Sequence, residues 1–129
     1  MKINIPTDRQ IWESEIATFW WEEEVLVSLS KPVMRTVENI SANVELVKSI
    51  THNQPAPLLI YLASSPIPDK ETRQLSAQKV PEIYSAMAMV SKPGLSQFIM
   101  KMVFAFKPAP IPTKQFTSKE AAVAWLKSL

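Results

Sequence analysis

A single glycine, Gly94, serves a chain of 129 residues that carries eleven prolines. That balance removes the loops that depend on backbone without a Cβ: a phosphate-cradling loop, a dinucleotide fingerprint and a hinge of paired glycines. Covalent and metal chemistry are equally short of material. With no cysteine and one histidine, His52, the chain lacks a thiol nucleophile, a disulfide framework and a Cys/His zinc set. A composition of 47% hydrophobic and 20% charged residues fits one globular domain spanning residues 1–129.

Charge is unevenly spread. Residues 1–84 hold eight Lys/Arg against eleven Asp/Glu, whereas residues 85–129 hold six lysines against one glutamate. No arginine lies among Lys92, Lys101, Lys107, Lys114, Lys119 and Lys127, and arginine is the residue suited to bidentate phosphate contacts. These lysines therefore read as a solvated face, and no nucleic-acid partner is expected. The start, Met1-Lys2-Ile3-Asn4-Ile5-Pro6, has no apolar run of the kind a secretory signal needs. No stretch approaches the roughly 20 apolar residues of a membrane span, so a soluble cytoplasmic protein is expected.

Prolines punctuate the periodic segments. Residues 14–21, ending Phe19-Trp20-Trp21, and the following Val25-Leu26-Val27-Ser28-Leu29 predict two strands of a hairpin joined by the acidic turn Glu22-Glu23-Glu24. Three carboxylates at such a tip read as solvated. Thr36 is placed to cap a helix whose apolar positions Val37, Ile40, Val44, Val47 and Ile50 recur at three and four, ending near His52 before Pro55 and Pro57. Residues 57–63, Pro-Leu-Leu-Ile-Tyr-Leu-Ala, form the continuous apolar run of a central strand covered on both faces.

Asp69 is the natural N-cap of a second helix with Leu75 as its clearest inward residue, and residues 85–90 alternate small side chains with methionine as a further strand. Leu95, Phe98, Ile99, Met102, Val103 and Phe106 share one broad face of a predicted third helix over residues 95–106. Pro108, Pro110 and Pro112 hold an extended crossover to a short edge strand, residues 113–116. Thr117 with Glu120 fits a capping box opening a last helix that buries Ala122, Trp125, Leu126 and Leu129. The order ββαβαβαβα predicts an α/β fold, a mixed sheet of about five strands with about four helices packed against it.

Several strings resemble one family in this order and spacing: Phe19-Trp20-Trp21 with its acidic turn and Val-Leu-Val strand; Thr36-Val37-Glu38-Asn39; Lys70-Glu71-Thr72-Arg73; and the ending from Pro112-Thr113-Lys114-Gln115-Phe116-Thr117-Ser118-Lys119-Glu120-Ala121 to Ala124-Trp125-Leu126-Lys127. They resemble the STAS-like, SpoIIAA-like bacterial domains related to anti-sigma-factor antagonists, a group with SEC14-type relatives. The resemblance implies a STAS-like fold and a non-enzymatic regulatory role exercised through protein contacts. In classical members a serine at the amino end of the helix after the central strand is phosphorylated and toggles partner binding. The matching position here is near Asp69, which has no hydroxyl, so a phosphoswitch would have to use Ser64 or Ser65. The aspartate common within the central strand is replaced by Tyr61.

Asp69 reads first as a helix cap. Ser64 and Ser65 lack the Gly-x-Ser-x-Gly turn of a hydrolase nucleophile, and Asp69 and Glu71, two positions apart on a helix, point to different sides. His52 at a helix end is favoured by the carbonyl pole of the dipole. No catalytic residue, metal or cofactor is expected. Surplus apolar residues point elsewhere: consecutive Trp20 and Trp21 must face opposite sides of a strand, and Met100 and Phe104 lie off the main face of the third helix. These four residues mark an interface, with a second copy in a homodimer or with another regulatory protein. The alternative is that they contact a small apolar, lipid-like ligand that the chain carries or senses.

Overall fold

The computed structural model describes residues 3–91 and 110–129. In chain order these contain β1 (Trp12–Glu13), β2 (Ala17–Glu22), β3 (Val25–Ser30), α1 (Val37–Thr51), β4 (Ala56–Tyr61), α2 (Lys70–Ile83), β5 (Tyr84–Val90), β6 (Thr113–Phe116) and α3 (Lys119–Lys127). The strands form one mixed sheet in which spatial order equals chain order, β1-β2-β3-β4-β5-β6. The first three are antiparallel, and β3 to β6 run parallel. The expected mixed α/β sheet is present. It has six strands rather than about five, because the two-residue β1 pairs Trp12 with Phe19 and Glu13 with Thr18. Three helices fall among the described residues; the third helix expected over 95–106, and with it Met100 and Phe104, lies outside them.

Period-two alternation distributes the apolar residues over two cores. On the first face Phe19, Leu26, Leu58, Met87 and Met89 meet Val44, Val47 and Ile50 of α1 and Val80 and Ile83 of α2. On the second, Trp20, Val25, Val27, Leu59, Tyr61, Ala86, Ala88 and Val90 meet Ala122 and Leu126 of α3. The small-and-methionine alternation of β5 thus has a reason. Its alanines let α3 approach the sheet while its methionines fill the wider gap beneath α1 and α2. Strand β4 is central and covered on both faces, and its Pro57 is accommodated where the register shifts between Ala56 and Pro57.

Helix α1 starts as its cap predicts: Thr36 Oγ1 accepts from Asn39 N at 3.1 Å and Asn39 Oδ1 accepts from Thr36 N at 2.7 Å, a reciprocal capping box. Helix α3 starts one residue later than the Thr117 reading. Its cap is Ser118, whose Oγ accepts from Ala121 N at 3.2 Å. Strand pairing extends to the Phe116 carbonyl, which accepts from Ser91 N, so Thr117 is consumed by the turn. Starting there, the helix buries Ala122 and Leu126 but leaves Trp125 half-buried and Leu129 exposed. In α2 the buried residues are Thr72, Val80 and Ile83, and Leu75 is half-buried.

With one glycine, left-handed backbone falls to other residues. Glu23 in the hairpin turn and His52 and Asn53 beyond α1 have φ of 56°, 56° and 62°.

Candidate interaction site at the carboxyl edge of the sheet

Because β3 to β6 are parallel, the segments that leave their carboxyl ends gather along one edge of the sheet. Thr36, Asp69 and Ser118 therefore bring three helix N-termini to that edge, each already capped by its own side chain. Asp69 Oδ1 accepts from Thr72 N at 2.8 Å. Hydrogen bonds from the Thr72 backbone and hydroxyl, with Arg73 nearby, hold the Asp69 carboxyl below the usual carboxylate range. Its charge is engaged by its own helix.

The loop between β4 and α2 carries the two serines. Ser64 is exposed and Ser65 half-buried, and Ile67 beside them is 52% exposed. On the preceding connection, between β3 and α1, Met34 is 45% exposed. Two guanidinium groups stiffen these loops. Arg35 donates to the carbonyls of Lys31 at 2.6 Å, Val33 at 2.8 Å and Ile16 at 3.2 Å, and Arg73 donates to the Pro68 carbonyl at 2.8 Å. Burial pushes the Arg35 pKa down from its ordinary value, yet arginine stays charged at any physiological pH. An exposed apolar side chain thus stands on each of two loops to which an arginine donates hydrogen bonds.

The structure separates the remaining candidates. Trp20 is buried within the second core, while Trp21, on the opposite face, packs half-buried against the first. Trp20 and Trp21 pair with Val27 and Leu26 near the start of β3, whereas the Ser64, Ser65 and Asp69 loop follows the carboxyl end of the parallel strand β4. Tyr61 ends β4 with its ring buried beneath α3; burial, then the charges of Glu22 and Glu120, push its phenol above the ordinary tyrosine value.

Two features escaped sequence reasoning. Two of the three carboxylates at the acidic hairpin tip are paired, with Lys119 Nζ 2.6 Å from Glu22 Oε2 and Lys127 against Glu23, while Glu23 and Glu24 remain exposed. Trp20 Nε1 adds a bond to Glu22 Oε1 at 3.4 Å. The rim residues Met34 and Ile67 were also missed, since a lone methionine and a proline-flanked isoleucine give no periodic signal. No group of three or more His, Asp and Glu side chains suited to a metal ion occurs among the described residues. No helix there is long and apolar enough to cross a membrane.

Residues 19–129 match a family described as "Domain of unknown function (DUF7793)". The chain belongs to the DUF7793 family. Curated proteins yield no match. Among solved structures, the chain is similar to an uncharacterized protein of the DUF3478 family with a SpoIIAA-like fold from Shewanella loihica PV-4, at 16% sequence identity and a TM-score of 0.60, over 98% of each chain. That likeness, over nearly the full length of both, shows the SpoIIAA-like, STAS-type fold that the strings of sequence pointed to.

Proposed function

We propose that this DUF7793 chain is a non-enzymatic regulatory module of the cytoplasm that acts through protein contacts, pairing with a second copy of itself across the carboxyl edge of its sheet. The observation that carries the reading is the pair of exposed apolar residues, Met34 and Ile67, on adjoining loops whose carbonyls accept hydrogen bonds from Arg35 and Arg73. Loops braced before binding lose less conformational freedom on association, which suits a surface used for recognition. The SpoIIAA-like fold agrees with a STAS-type regulatory role. Ser64, exposed on the same loop, is where a phosphate would alter that surface.

Sedimentation and native mass spectrometry of the parent chain, Met34→Lys and Ile67→Lys test the proposal. The expected result is a ligand-free dimer that each substitution weakens at least about tenfold, with the melting temperature unchanged. A dimer indifferent to both substitutions removes the edge from the interface. A monomer that carries a bound lipid supports the apolar-ligand reading in its place.

A further inference from the structure

The chain ahead of β1 runs beside the outer edge of β2 without joining it. The register of Trp12 with Phe19 would set Ile11 beside Trp20 and Gln10 beside Trp21, but the ladder stops at Trp12. Outside that ladder, residues 3–11 make no backbone–backbone hydrogen bond among the described residues. A side chain supplies the tie instead: Arg9 Nη1 donates to the Trp21 carbonyl at 3.0 Å, and the same guanidinium is steadied by the Asp8 carboxylate at 3.0 and 3.2 Å.

Apolar contact completes the attachment. Ile3 and Ile11, both half-buried, pack against the second core, where Trp20, Val25 and Val27 are 2%, 1% and 1% exposed. Helix α3 packs mainly on β4, β5 and β6, and among the described residues Ile3 and Ile11 of the arm add to the cover of the same face. Most other residues of the arm are exposed, Ile5 among them at 44%. The family match begins at Phe19, beyond the arm.

We propose that residues 3–11 form a detachable strap, which opens as a unit while the sheet stays folded and so uncovers Trp20 on the second face. A segment with three half-buried residues, Ile3, Pro6 and Ile11, and one guanidinium bond to the sheet belongs to the low end of local opening free energies, whereas the hydrogen-bonded strands beneath it belong to the high end. The strap works on the face opposite α1 and α2 and is independent of the carboxyl-edge reading.

Tryptophan oxidation by N-bromosuccinimide, mapped by peptide mass spectrometry across low urea, reads the opening in the full chain. Trp20 is expected to react at a rate nearly flat in urea and well above that of global unfolding. In Arg9→Ala and in Ile11→Ser that rate is expected to rise about fivefold, the change set by loss of one modest contact. Reaction of Trp20 no faster than global unfolding in all three proteins overturns the proposal, because the arm is then part of the core. A flat rate that both substitutions leave unchanged overturns it too, because these contacts then do not hold a strap.

Discussion

His52 occupies a left-handed conformation after α1, its backbone N–H bonded to the Lys48 carbonyl, at a position where helices usually place glycine. The side chain is exposed, so nothing in the packing offsets the steric penalty of its Cβ. His52→Gly is therefore expected to stabilise the chain by roughly 0.5–1 kcal/mol, read as a higher urea midpoint at unchanged slope. The two tyrosines supply a second residue-scale test. Burial raises the pKa of Tyr84, and burial reinforced by Glu22 and Glu120 raises that of Tyr61. A folded-state value above the unfolded one means that the neutral phenols contribute stability fully present below the ordinary value of about 10 and lost as pH climbs above it. In an alkaline titration followed by phenolate absorbance and circular dichroism, Tyr84 is expected to ionise only together with unfolding. Two phenolates appearing near the ordinary value with the fold intact would contradict this.

Helix α3 shows what a single element owes to distant sequence. It lies on small residues of β5, and its two lysines reach back to the hairpin tip, Lys127 meeting Glu23 across 104 positions. The pair of Lys119 with Glu22 is the less exposed of the two, with side chains 44% and 21% accessible. Glu22→Gln, which keeps a hydrogen-bonding group for Trp20, is expected to lower stability by about 0.5 kcal/mol at low ionic strength. The difference should shrink in high salt, as urea unfolding at two salt concentrations would show. No local reading of Glu22-Glu23-Glu24 reveals those lysines, because the pairing exists only once the sheet has formed. Helix α1, by contrast, was legible from Thr36 and its repeat of apolar residues, since cap and periodicity are both local. Strand β1 was not, for two residues carry no alternation and its pairing with β2 depends on the turn between them. At the carboxyl edge, the cap role of Asp69 could be read from its place before a helix. The exposure of Met34 and Ile67 could not, because neither belongs to a periodic segment whose inward and outward faces can be assigned.

Across the whole molecule, the sheet places two kinds of surface on different sides: a rigid edge where the parallel strands end, and a second face partly closed by an arm with few ties. Among the described residues, α1 and α2 pack on one face, and α3 with Ile3 and Ile11 of the arm on the other. The order of the strands carries a further consequence, for synthesis. Since each strand pairs with the one before it in the chain, no strand has to wait for a later one to be inserted between neighbours. The β2–β3 hairpin closes on local contacts, and β4, β5 and β6 can each dock on an edge already laid down, at the rate set by the loop that must close. Such a sheet can grow in step with a chain leaving the ribosome, and at every stage before completion its open strand edge, rather than a misthreaded loop, is the point at which a chaperone or another nascent chain would attach.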